Sequence, residues 1–174
     1  GGVLVLLAAD LLQATPAVIA VAALLVAVAH AGRLYLWQPW RTFGTPIVWV
    51  LHVAYGWVVV YLLLRGLSAF GFVGELLAVH ALTVGAIGGM TIGMMTRTAR
   101  GHTGRPLVAD PFDVTCYVLV VVAAAIRVFG GMLLPDAYMA TVVASGICWS
   151  AAFALYAVRY WPVLSRPRLD GKPG

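Results

Sequence analysis

The sequence predicts an all-α protein, a polytopic transmembrane helix bundle of about five complete spans behind a truncated leading one. Three observations predict it. Of 174 residues, 63% are hydrophobic and only 10% charged, where a soluble domain carries roughly 25% charge to cover its surface. The mean hydropathy is +0.98, and the apolar residues come in runs of roughly 20 to 25, the length a tilted helix needs to cross ~30 Å of hydrocarbon. The positive residues sit at the ends of those runs, where they mark a membrane face. Nucleic acid is therefore not an expected partner, although the net charge is +5.

The elements follow in order. Val3 to Leu12 is apolar but too short to span, and no Lys or Arg precedes Arg33 to make it a signal peptide. It reads as the end of a spanning helix, so the chain is expected to be the C-terminal part of a longer protein. Thr15-Pro16 resembles an N-cap with Pro at the first helical position, and the run it opens continues to Trp37. The second run extends from Pro46 to Leu64-Arg65, the third from Phe72 to Thr96, the fourth from Phe112 to Leu134 and the fifth from Ala137 to Trp161. Residues 1–161 thus form the bundle, and the polar, Pro/Gly-rich residues 162–174 a mobile tail.

Charge sets the orientation. An alternating path puts Arg33, Arg41, Arg97, Arg100, Arg105, Arg159, Arg166, Arg168 and Lys172 on one side and leaves Arg65 on the other. By the positive-inside rule the rich side is cytoplasmic, with the C-terminus there and the Arg97–Leu107 loop beside it. Asp110 and Asp113 flank the start of the fourth span, where the helix dipole favours acids. Cys116 and Cys148 lie in apolar runs without CxxC spacing and read as small buried residues.

Ionisable residues inside the membrane are functional candidates. Four stand out: His30, His52, His80 and Arg127. Counting ~1.5 Å per residue puts His30 and His52 each about 9 Å from the cytoplasmic boundary, and His80 level with Arg127 about 10 Å below the outer one. Two layers result. Each histidine has a plain role, donating a hydrogen bond that stabilises packing, and a sharper one, ligating a metal or haem iron through neutral imidazole. Arg127 either snorkels to the outer headgroups or pairs with a buried anion such as a cofactor propionate.

In the third run Gly85, Gly89 and Gly93 form a smooth stripe centred opposite His80. One face then admits a neighbouring helix closely, while the other presents His80, Ile87, Thr91 and Met94. Met90, Met94 and Met95 near its end are ordinary apolar filling or soft copper donors. No HExxH, Walker loop, CxxC or CxxCH motif occurs, and Ser145 and Ser150 have no level His and Asp partners for nucleophilic catalysis.

The run from His80 to Thr91 followed by Met95 to Leu107, with its GHTGRPL loop after an HALTxGxxGxM helix, resembles the NnrS family of bacterial membrane proteins. The likeness extends to His30-Ala-Gly-Arg-Leu-Tyr-Leu-Trp37, to Trp49-Val-Leu-His-Val-Ala-Tyr-Gly-Trp57 and to the tail from Arg166. It covers essentially the whole chain as that family's C-terminal half. The resemblance implies a haem- and copper-containing protein of the bacterial cytoplasmic membrane, linked to nitric oxide and nitrosative stress, with the family's N-terminal half as its partner. His80 and His52 are then the metal-ligand candidates, with His30 and Arg127 beside the cofactor. The ~10 Å depth difference between His80 and His52 argues against both ligating one iron in straight helices. A transporter or channel half with a proton-coupled histidine pathway is the alternative reading of the same residues.

Overall fold

The computed structural model describes residues 2–171, which leaves Lys172 and the last residues of the expected tail outside the described part. Among the described residues all regular structure is helical. A short helix α1 (Gly2–Leu11) leads into five helices long and apolar enough to cross a membrane: α2 (Pro16–Leu36), α3 (Pro46–Ala69), α4 (Glu75–His102), α5 (Pro111–Leu133) and α6 (Tyr138–Leu164). The predicted spans are all present.

Proline starts three of these helices at N1, where its missing N–H costs nothing. Thr15 and Thr45 precede two of them, yet neither hydroxyl makes a cap hydrogen bond. The start of α5 is closed more completely. Asp110 accepts from the backbone N–H groups of Phe112 and Asp113 at 3.0 Å each, and the Asp113 carboxylate accepts from the Asp110 N–H at 3.0 Å. This reciprocal capping box satisfies donors that the helix itself cannot.

The helices pack in sequence order, with α3 central: it lies against α2 and along the whole of α4, while α5 joins α4 to α6. The glycine stripe does what its spacing predicts. A Cβ at Gly85 would meet the Trp57 ring, one at Gly89 would come 2.8 Å from the Ala54 Cβ, and one at Gly93 2.9 Å from Val50. All three neighbours are on α3, so the backbones approach because side chains are absent. Gly88, one residue out of step, receives the Trp149 ring of α6 instead.

Two helices depart from regular α geometry. Residues Ala81–Ile87 of α4 and Ile126–Gly130 of α5 form π-helical turns, wide turns that recur near functional sites. The turn in α4 follows His80 directly and shifts the helical phase on its N-terminal side. Ile87, Thr91 and Met94 are exposed as expected, but the exposed stripe continues to Thr83 and Val79, leaving His80 half-buried at its margin. The simple 100° count that put His80 at the centre of that face fails for this reason.

The connection after α4 also differs from expectation. The apolar run ends near Thr96, but the helix continues through Arg97 and Arg100 to His102, since a helix does not stop where hydrocarbon does. The expected loop from Arg97 is thus a helical end followed by a turn through Gly104, at φ +71°. Nor do the described residues of the tail trail away. Arg168 donates to the His102 carbonyl at 2.9 Å, the Leu169 N–H donates to the Thr103 carbonyl at 3.2 Å, and Arg168 holds Asp170 through two hydrogen bonds of 2.9 and 2.7 Å.

Candidate functional site

The histidines fall into two settings. At the arginine-rich end of the bundle, α2 and α3 bring His30 and His52 into one aromatic cluster. The Tyr55 hydroxyl lies 2.7 Å from Nδ1 of His30, and the two rings stack with centroids 5.6 Å apart. The Thr42 hydroxyl lies 3.1 Å from Nδ1 of His52; it comes from the short 3-10 helix Pro39–Thr42 between the two spans. Trp37 joins the two halves, its ring 4.8 Å from that of Tyr55 and 6.1 Å from that of His52. Arg33 caps the cluster with its guanidinium 5.4 Å from the Trp37 ring centroid, within cation–π range.

Each of these histidines has Nδ1 engaged by a hydroxyl, which fixes the ring plane and leaves Nε2 without a hydrogen bond among the described residues. That is the arrangement a ligating histidine needs: one nitrogen anchored by an outer partner, the other free to coordinate.

His80 and Arg127 occupy the other setting, near the arginine-poor end. The first turns of α4, which carry His80, pack against the π turn of α5, which carries Arg127. The two do not hydrogen-bond. Arg127 instead reaches Tyr138 at the start of α6, 3.4 Å from its hydroxyl and 5.9 Å from its ring centroid. Of the two roles open to it, this one resembles snorkelling toward the helix end. It also lines a crevice of about 300 Å³ with Val84, Ser145, Ser150 and Trp149. Ser145 is already satisfied there, donating to the Ala123 carbonyl at 2.8 Å. No hydrogen bond of the His80 ring occurs among the described residues.

His30 and His52 thus share the cluster around Trp37, and the segments that carry His80 and Arg127 pack together. Among the described residues no three His, Cys, Asp or Glu side chains converge as a metal-holding group. Met94 and Met95 border an open groove of about 640 Å³ with Thr98, His102 and Tyr156. Cys116 and Cys148 are free thiols.

The residues that sequence reasoning missed are the hydroxyl partners. Tyr55 sits three residues beyond His52, on the same side of α3, and that spacing was the available signal. Thr42 carried none, because its placement depends on the 3-10 turn.

The sequence profile described as NnrS protein matches residues 1–168, nearly the whole chain. No curated protein matches it, and no solved structure does.

Proposed function

The chain belongs to the NnrS family, and on that premise we propose that it is a haem-binding protein of the nitric oxide response, seated in the bacterial cytoplasmic membrane with its C-terminus inside. Family membership supports a membrane protein of that response. The observation that carries the haem reading is the state of the imidazoles. His30 and His52 have Nδ1 held by Tyr55 and Thr42 with Nε2 free, and His80 is half-buried with its ring unbonded among the described residues.

In this reading His80 and His52 are the iron-ligand candidates, each in its own setting: His30 and its stacked Tyr55 would border a haem held at His52, and Arg127 would offer a cation to a propionate of one held at His80. Haem iron, when bound, supplies the centre at which nitric oxide coordinates. The protein's own contribution is orientation, through the Nδ1 hydrogen bonds, and a low-dielectric surround from the membrane-spanning helices. Copper is the second metal of the proposal, with thioethers of Met94 and Met95 and the imidazole of His102 on one groove as donors of the kind it accepts. The orientation rests on the distribution of positive charge: nine of the eleven Lys and Arg residues lie with the α2–α3, α4–α5 and C-terminal segments.

Absorption spectra of membrane-purified full-length protein test the proposal. A Soret band that is lost or shifted in His80→Ala or His52→Ala supports it. Absence of any band refutes haem binding, and an unchanged band in both variants refutes these ligands. Proton flux through liposomes that depends on His80, without a Soret band, would establish the pathway reading in its place.

A further inference from the structure

Apart from the histidine layers, the arginine-rich end holds a second polar centre that the haem reading leaves unused. A cavity of about 170 Å³ opens between the end of α4, the turn after it and the end of α6, lined by Arg100, Arg105, Arg159, Tyr160, Pro162, Val163 and Arg166. Four guanidinium groups therefore border one small space. Among the described residues two carboxylates bond these arginines, and both are committed; a third, Asp170 beside Gly104, is held by Arg168. Asp113 accepts from Arg100 at 2.6 Å and from the Tyr160 hydroxyl at 2.8 Å. Asp110 accepts from Arg100 at 2.9 Å and Arg159 at 3.0 Å.

Two acids against four arginines leave an excess of two positive charges on the cavity wall. Arg105 and Arg166 make no ion pair among the described residues. One donor is more telling than the count: the Arg105 Nη1 is buried and has no hydrogen-bond partner among the described residues. A buried guanidinium nitrogen is rarely left without an acceptor, and leaving it so is costly. The natural partner is an anion with several acceptor oxygens, since planar guanidinium forks match phosphate geometry. The size is suitable, as an engineered cavity of about 150 Å³ already holds a benzene-sized molecule.

We propose that this cavity is a binding site for a phosphate group, carried by a phospholipid headgroup or by a soluble phosphate, with Arg105 and Arg166 as its principal ligands. Arg100 and Arg159 are held in place by Asp110 and Asp113 and line the site as fixed positive charges. The position suits either source, because the cavity opens where the apolar helices α4 and α6 end.

The test uses full-length protein, with Arg105→Gln and the exposed Arg166→Gln as site variants. Arg41→Gln, at the same end of the bundle on the α2–α3 connection, controls for general charge. Thermal unfolding is titrated with inorganic phosphate, and lipid retention is read by native mass spectrometry from nanodiscs of phosphatidylglycerol and phosphatidylcholine. A soluble ligand is indicated if phosphate raises the midpoint of the parent and of Arg41→Gln, while the site variants need about tenfold more or fail to respond. A headgroup is indicated if phosphate does nothing but phosphatidylglycerol is retained by the parent and Arg41→Gln and lost from the site variants. The proposal is overturned if neither phosphate nor lipid binds, or if Arg41→Gln loses binding as fully as the site variants do. Arg166→Gln keeps the test decisive should Arg105→Gln not fold.

Discussion

Arg100 and Asp113 meet at 2.6 Å although they start from different helices, and the carboxylate is only 1% exposed while the guanidinium side chain is 13% exposed. Asp113 also accepts from the buried Tyr160 hydroxyl of α6, and Arg100 donates to that same hydroxyl at 3.0 Å. One ion pair thereby ties the ends of α4, α5 and α6 together. Removing one partner leaves the other charge buried and unpaired. Asp113→Ala is expected to destabilise the protein by about 3 kcal/mol or more, read as a lowered unfolding midpoint in detergent. Arg159→Ala, at the exposed rim, is expected to cost less than about 1 kcal/mol.

The acid sensitivity of the same network has a definite sign. Burial raises the Asp110 carboxyl, but the Asp113 N–H and the guanidiniums of Arg159 and Arg100 outweigh it and hold the group below its ordinary range. Its contribution to stability is therefore complete above the unfolded carboxyl value of about 3.9 and is lost as pH falls through the lower folded value. Unfolding midpoints measured from pH 6 down to pH 3 should fall less steeply in Asp110→Asn than in the parent.

The glycines separate by what faces them. Gly85→Ala would drive a methyl into the Trp57 ring and Gly89→Ala one to 2.8 Å from the Ala54 Cβ. Each is expected to cost about 1–3 kcal/mol by overpacking. Gly32, in the interior of α2, has nothing within 4 Å of an added Cβ, so Gly32→Ala is expected to gain about 0.5–1 kcal/mol from helix propensity. Thermal unfolding of the three variants side by side checks the contrast.

If His30 borders or ligates iron as proposed, its Tyr55 partner orients it. Tyr55→Phe keeps the 5.6 Å ring stacking but removes the hydroxyl from Nδ1. Loss of such an outer partner typically weakens a metal site about 10- to 100-fold. Haem titration of the variant should show that weakening with the helical circular dichroism unchanged; unaltered affinity would assign Tyr55 to packing alone.

The docked tail gives a further expectation. The Leu169 amide bonds the Thr103 carbonyl, and Arg168 bridges to the His102 carbonyl and to Asp170. Arg168→Ala should speed hydrogen exchange at Leu169 while leaving the amides of α6 protected, as local opening requires.

What could be read from the chain and what could not differ in physical kind. The spans were legible because hydrocarbon demands some twenty apolar residues in a row, whatever their neighbours. The stripe Gly85–Gly89–Gly93 was legible as a contact face because small residues at helical spacing have few other uses. Periodicity nonetheless misplaced His80, since it assumes one helical pitch and the π turn at Ala81–Ile87 changes it.

Asp110 and Asp113 show the other limit. Their place beside a helix start accounts for the capping box, a local matter that sequence displays. Their bonds to Arg100, Arg159 and Tyr160 required α4 to run past its apolar segment and α6 to return beside it. The sequence by itself determined the solvent, the number of spans and the sparse polar residues that must be satisfied within them. Only the tertiary structure decided which of those residues meet, because levelness is set by rise per residue along each helix, whereas contact depends on how the helices turn toward one another.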